Sequence, residues 1–242
     1  MMKLCLPILV LVSMLACAGD NIYRDVQGSL KSATPTTLNI PASPTPTITI
    51  LGRSAEEFQT EYVENTLSTP IANFIIRKVP KKNPVMFEVK HPTLDRVVSF
   101  PFDLDATGSI TLPALESGTI ALIRDQIEVL SGSTVGDTAG MILGQLSSEG
   151  SANSGCSPIN SVVIKNKQTG INVAVVGPYY FNNSGNAVAS SGFSDTQCSY
   201  VMGNVLPGSY LLEFLDQSLE KVNEIEVIVL EGNVSFGMDI PQ

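Results

Sequence analysis

The chain has 242 residues and carries 14 Lys and Arg against 23 Asp and Glu, a formal charge of −9 at neutral pH. Binding to nucleic acid needs cations that displace counterions from phosphate, so this balance excludes it as a primary partner. Charged residues are only 15% of the chain, and the abundance of Gly, Ser, Thr and Asn suits short strands joined by turns better than a helical bundle.

Residues 1–16 read as an export signal. Lys3 supplies a positive charge, and an apolar run follows from Leu4 to Ala16. As a helix this run would rise only about 20 Å, too short for a hydrocarbon core of about 30 Å. A cleaved signal peptide is therefore expected instead of a membrane span. The letters Met14-Leu15-Ala16-Cys17 resemble a bacterial lipobox, in which cleavage before Cys17 leaves a cysteine that receives lipid. Ala16-Cys17-Ala18 also reads as an A-x-A site, and cleavage after Ala18 would release a secreted, soluble protein. The first reading predicts an envelope lipoprotein held by acyl chains at an outer membrane or cell surface. An acidic body would be repelled by anionic headgroups, so membrane contact is expected through the anchor alone.

Residues 17–47 read as a disordered, lipid-anchored linker. The stretch Ser29–Thr47, SLKSATPTTLNIPASPTPT, cannot build a packed core, and its prolines keep it extended.

From Ile48 onward the chain reads as all-β, two tandem β-sandwiches over 48–135 and 136–242. In the first, strands are expected near 47–53, 71–78, 84–90, 95–102, 109–113, 119–124 and 126–131. Ala55–Thr66 carries several glutamates and reads as a short helix or a polar excursion. In the second, strands are expected near 140–147, 159–165, 171–177, 199–204, 209–215, 222–230 and 233–240. Residues 48–131 align over 140–231. Ile50-Leu51-Gly52 meets Ile142-Leu143-Gly144, and Ile127-Glu128-Val129-Leu130 meets Ile225-Glu226-Val227-Ile228.

Four cysteines are present. Cys5 leaves with the signal and Cys17 is the anchor candidate. Cys156 and Cys198 remain as an even pair in an exported chain, for which a disulfide is the default.

Candidate chemistry is sparse. His91 stands alone, without the partners of a triad or a multi-histidine metal site, and reads as a loop histidine. Asp103-Leu104-Asp105-Ala106-Thr107-Gly108 opens like a calcium loop, but Ala114 occupies the position where an EF-hand needs its bidentate glutamate; the letters also spell a turn. Lys165, Glu213 and Asn233 are the residue types of an intramolecular isopeptide bond, and also of an ordinary surface. Tyr179-Tyr180-Phe181 opens an expected long loop over Gly177–Ser191, which makes these rings candidates for a contact patch or caps on the core. No catalytic residue, metal site or cofactor is expected.

The second half resembles the carboxypeptidase regulatory-like domain, a transthyretin-like sandwich. The resemblance is carried by Gly144, Pro158-Ile159, Ser194-Asp195-Thr196 and Val205-Leu206-Pro207-Gly208-Ser209-Tyr210-Leu211-Leu212. The first half keeps Asp105-Ala106-Thr107-Gly108 and Leu115-Glu116-Ser117-Gly118-Thr119. The resemblance implies an accessory or adhesive module without catalysis. The expected function is structural or adhesive binding of a protein or glycan at the cell envelope. The alternative is an accessory domain of an exported enzyme complex, or a weak hydrolase.

Overall fold

The computed structural model describes residues 22–33, 38–54, 57, 59–63, 66–81, 84–106, 108–146, 159–190, 192–193 and 198–240. The expected signal peptide, Cys5, Cys17, Cys156, Pro158 and Ser194-Asp195-Thr196 lie outside the described residues.

The described chain is nearly all β, in stacked sheets of sandwich type. An outer sheet holds β1 (Tyr23–Ser32), β3 (Gln59–Tyr62), β4 (Ile71–Pro80) and β7 (Ile110–Ala114), in the order β3-β4-β1-β7. A middle sheet takes β2 (Thr47–Ile50), β5 (Phe87–His91) and β6 (Leu94–Ser99) from one half of the chain. From the other half it takes β8 (Gly140–Leu146), β10 (Val176–Phe181), β11 (Ala187–Val188), β12 (Ser199–Val205) and β15 (Val234–Ile240). Its order is β11-β10-β12-β8-β15-β6-β5-β2. A third sheet stacks β14 (Lys221–Val229), β13 (Gly208–Leu215) and β9 (Ser161–Asn166). One helix, α1 (Thr119–Ser131), lies among the described residues.

Two strands near the ends of the chain sit inside sheets, not at their edges. β1 lies between β4, antiparallel to it, and β7, parallel to it. β15 lies between β6 and β8, parallel to both, and so joins strands of the two halves into one sheet across the expected boundary at 135/136.

The middle sheet separates two cores. On one face Met141, Leu143, Val201, Val234 and Phe236 pack with Val26, Leu30, Phe74, Ile76 and Leu112 of the outer sheet. On the other face Ile142, Leu146, Tyr200 and Met202 pack with Val162, Ile164, Leu212 and Phe214 of the third sheet. A strand buried on both faces needs apolar residues at successive positions, which Met141-Ile142-Leu143 and Tyr200-Val201-Met202 supply. The outer strands bury one face and alternate, as β4 does with Ala72, Phe74 and Ile76 inward and Ile71 and Asn73 exposed.

Four sequence expectations change. The linker expected over 17–47 contains β1, whose Val26 and Leu30 are buried. The polar excursion at 55–66 contains β3, which pairs with β4 and sets the Tyr62 ring edge-on to Phe74, centroids 6.3 Å apart. The strand expected at 171–177 is only an isolated bridge at Asn172, with regular pairing starting at Val176. The strands expected at 119–124 and 126–131 are the single helix α1, which buries Ile123 and Ile127 one turn apart and ends on Gly132 in the left-handed region, φ 66°.

The two halves are consequently not equivalent element by element. Ile127–Leu130 is helical, whereas Ile225–Ile228 is strand β14. Ile50 ends strand β2 at the sheet edge, and the chain turns at Gly52; Ile142-Leu143-Gly144 is the interior of β8.

Burial raises the hydroxyl pKa of Tyr62, Tyr180, Tyr200 and Tyr210 above the ordinary tyrosine value. An acid whose folded pKa is raised lends stability below its unfolded pKa, about 10, and that stability is lost as pH climbs through the folded value. These rings are therefore expected to ionise together with unfolding in alkali. Tyrosinate absorbance and circular dichroism, followed jointly above pH 10, should give one coincident transition. Full ionisation of all the tyrosines in a chain still folded would contradict the burial.

Candidate binding cleft

A cleft of about 380 Å³ opens where α1 meets the end of the middle sheet. Thr119, Leu122, Ile123 and Gln126 of the helix form one wall. Leu143, Gly144 and Gln145 of β8, Ser199 and Tyr200 of β12, and Phe236 of β15 form the base. Phe181 and Asn182, Asn183, Gly185 and Asn186 of the turn between β10 and β11 form the opposite wall, while Ala33 and Leu115 close the end.

The helix wall is fixed from outside its own sequence. Gly118, at the N-cap with φ 92°, offers no side chain to the first turn. Asp95 of β6 replaces it: its carboxylate accepts the N–H of Gly118 at 3.0 Å and of Ile120 at 2.7 Å. A negative charge there also suits the helix dipole. At the other end Gly132 donates its N–H to the Glu128 carbonyl, and the Glu128 carboxylate accepts the N–H of Val135 at 2.7 Å. Asp95→Ala is expected to cost about 1–2 kcal/mol, the loss of a helix cap. The thermal midpoint should fall, and amide exchange at Ile120 should accelerate more than exchange in β13. Unchanged protection at Ile120 would count against Asp95 as the cap.

Gln126 ties the helix to the turn. Its side-chain oxygen accepts the N–H of Ala187 at 2.8 Å, and its amide nitrogen donates to the Asn186 side-chain oxygen at 3.3 Å. Asn182 holds the turn's shape by accepting the N–H groups of Ser184 and Asn186 on its side-chain oxygen. Gln145 lines the cleft, and its side-chain oxygen is buried without a hydrogen-bond partner. Among the described residues the lining carries no ionisable acid or base except the Tyr200 hydroxyl, which burial pushes well above its ordinary pKa.

The expected contact rings occupy a strand, not a loop. Tyr180 points into the second core, where its hydroxyl accepts the Val162 N–H at 3.1 Å and its ring meets Phe193 at 4.8 Å between centroids. Phe181 and Tyr179 face the first core. Of the three, Phe181 lines the cleft. The expected loop is a hairpin of β10 and β11 around the turn at 182–186, and the rings lie on its first arm.

The remaining candidates fall elsewhere. His91 ends β5; its Nε2 meets the Pro44 carbonyl at 2.8 Å, and its Nδ1 accepts the Thr93 N–H at 3.0 Å. Asp103 accepts the Asp105 N–H at 3.0 Å as a turn residue, and Asp105 pairs with Arg24 at 2.6 Å. Thr107 lies outside the described residues, and no group of three possible metal ligands occurs among those described. Lys165 and Glu213 meet across β9 and β13 at 2.6 Å, but Asn233 sits in the β14–β15 turn with its amide on the Glu231 carbonyl. Cys198 is fully buried in the second core. The Pro207-Gly208-Ser209-Tyr210 corner is closed by the Tyr210 hydroxyl, which donates to the Leu206 carbonyl at 2.7 Å in the manner of a tyrosine corner. The corresponding stretch of the first half, Leu115–Thr119, instead turns into α1.

No protein-family model matches the sequence, that of the carboxypeptidase regulatory-like domain included, and no curated protein matches it. Solved structures similar to it include pilins. The major pilin subunit BcpA of Bacillus cereus is 14% identical, with a TM-score of 0.26, over 91% of this chain and 60% of that one. The shaft pilin SpaA of Lactobacillus rhamnosus GG is 9% identical, with a TM-score of 0.25, over 91% and 98% of the two chains. The minor pilin GBS52 of Streptococcus agalactiae is 10% identical, with a TM-score of 0.23, over 89% and 94%. This chain thus spans about three-fifths of the BcpA chain. A likeness this distant says nothing of function.

Proposed function

We propose that the chain is a lipid-anchored envelope protein that holds a binding cleft away from the membrane. The observation that carries this reading is the course of β1. Five residues, 18–22, separate Cys17 from Tyr23, a reach of at most about 20 Å. β1 then runs ten residues to Ser32, roughly 30 Å of extended strand, and the next residue, Ala33, lines the cleft. A lipid on Cys17 would therefore keep the Tyr23 end of the body at the bilayer and turn the cleft outward. The short tether replaces the long stalk expected from the Pro/Thr-rich segment.

We read the role as binding or scaffolding. Among the described residues the cleft is lined by amides, hydroxyls and apolar side chains, without the paired nucleophile and base that covalent hydrolysis requires. The Tyr210 corner fits a β-sandwich in general and does not single out the carboxypeptidase regulatory-like domain. The intact mass of protein extracted from membranes tests the anchor. A diacyl or triacyl adduct on Cys17, lost together with membrane partition in Cys17→Ala, is expected. An unmodified chain starting at Gly19 would reject it.

The second covalent feature proposed is a Cys156–Cys198 bridge. It would close a loop of about forty residues in the unfolded chain and contribute roughly 3–4 kcal/mol. The unreduced protein should be lighter than the reduced one by two hydrogens, and Cys156→Ser should lower the midpoint of denaturation. A thiol titration that counts both cysteines in the native oxidised protein would exclude the bridge.

A further inference from the structure

We infer that the cleft between α1 and the β10–β11 turn is a site for a neutral saccharide. This rests on the reading of the cleft as the protein's binding surface. Its chemistry narrows the ligand class by exclusion. No Asp, Glu, Lys, Arg or His lines it among the described residues, so a phosphorylated, acidic or cationic ligand would be desolvated without a counter-charge. A wholly apolar ligand would cover the side-chain NH₂ groups of Asn182 and Asn186 with nothing that accepts a hydrogen bond. Hydroxyl-rich ligands satisfy both constraints. A sugar hydroxyl donates and accepts at once, as a side-chain amide does through its two ends, and the C–H faces of the ring suit apolar walls such as Phe181, Phe236 and Leu122.

The amides are set for this role by bonds already made. Asn182 spends its oxygen on two backbone N–H groups of its own turn. Asn186 spends its oxygen on Gln126. Each keeps its NH₂ as a donor. Gln145 also lines the base, but its side-chain oxygen is closed off from solvent and does not reach a ligand. This donor pair on one wall, with Thr119 and Ser199 also in the lining, distinguishes the cleft from a generic apolar dimple. Its volume of about 380 Å³ falls in the range of small-ligand sites, about 300–1,000 Å³, and suits a mono- or disaccharide unit.

Saturation-transfer NMR on the full mature chain tests the inference. The probes are maltose, cellobiose, mannobiose and di-N-acetylchitobiose at millimolar concentration, with sialyllactose as the anionic comparison and a neutral Ser/Thr-rich peptide as the polypeptide comparison. At least one neutral disaccharide is expected to bind, and to bind better than either comparison. Asn186→Ala removes one amide and should weaken binding about tenfold, the equivalent of one hydrogen bond. Leu122→Asp places a charge on an exposed lip residue and should weaken it at least as much. Leu206→Asp, exposed but outside the cleft, should leave it unchanged, and thermal midpoints confirm that each variant folds. Three results would overturn the proposal: no neutral disaccharide binding to the folded chain, stronger binding of the anionic sugar or the peptide, or neutral-sugar binding untouched by both cleft variants. The mass of Cys17 decides the anchor separately, so a failure of either idea is visible without the other.

Discussion

Leu30→Asp is expected to leave a chain that does not fold, while Gln27→Asp three residues earlier should change stability by less than about 0.5 kcal/mol. Leu30 is 0% exposed in the first core, between β4 and β7, and Gln27 faces solvent from the same strand. A carboxylate at position 30 must either stay charged in an apolar layer or bind a proton there. Either costs several kcal/mol and consumes most of the 5–15 kcal/mol that keeps an ordinary domain folded. A milder change gives a measurable number: Leu30→Ala should cost about 2–5 kcal/mol by urea denaturation. The contrast between the two positions is the test. In a disordered linker both substitutions would be silent, so a normal midpoint for Leu30→Asp would remove β1 from the fold, and with it the short tether.

The reason β1 is hidden in the sequence lies at Gly28. A strand lining a core shows apolar residues at alternate positions, here 26, 28 and 30. The middle one is glycine. A Cβ on Gly28 would lie 2.6 Å from the Phe74 ring and 2.7 Å from the Ile110 carbonyl, so neighbouring chains already fill the volume that a side chain would take. Only Val26 and Leu30 remain to mark the strand, within a segment otherwise rich in Ser, Thr and Pro. The helix α1 is obscured differently. Thr119–Ser131 is dense in Ile, Leu and Val, which favours a strand reading, and its capping acid, Asp95, lies more than twenty residues upstream. The marks that were present are the spacing of Ile120, Ile123 and Ile127 and the glycine at 132. Strands with one buried face, such as β4 and β13, were legible because alternation is local. The two-sided middle sheet was legible in part: its strands other than β10 and β11 were expected, and the unbroken apolar runs at Met141–Leu143 and Tyr200–Met202 carry the extra information that both faces are covered.

For the cleft, Asn182-Asn183-Ser184-Gly185-Asn186 read only as part of a long loop, and Tyr179-Tyr180-Phe181 drew attention to the right neighbourhood. The rings themselves are largely structural. The polar groups that give the cleft its character come from α1 and β8, and nothing in the local sequence joins Gln126 to Asn186 or Gln145 to Phe181. Those pairings exist because β15 brings the two halves into one sheet and α1 lies over its end. The duplicated pattern, by contrast, describes a similar rhythm of strands in both halves and does not describe where they go.

Gly144→Leu is expected to destabilise by about 5 kcal/mol or more, the high end for a single overpacking change. A Cβ at this position would fall on the Tyr200 ring, closer than real contacts allow. Tyr200 cannot retreat: it is fully buried, with Phe193 at 6.2 Å and Phe214 at 5.9 Å between ring centroids, both edge-on. The clash also sits on paired strands, since Tyr200 of β12 lies opposite Gly144 of β8. The third sheet packs against this ring, so relief by shifting β12 would disturb the second core throughout. A double-mutant cycle isolates the cause. Gly144→Ala alone and Tyr200→Val alone should each be costly, and the pair should be less costly than their sum by about 1–3 kcal/mol, because the valine vacates the space that the new methyl needs. Tyr200→Phe provides the opposite sign. Its hydroxyl is buried without a hydrogen-bond partner, so its removal should be neutral or stabilising and should also soften Gly144→Ala. Strict additivity between positions 144 and 200 would mean that the ring does not occupy the face of β8 assigned to it, and the separation of the two cores by the middle sheet would fail at its centre.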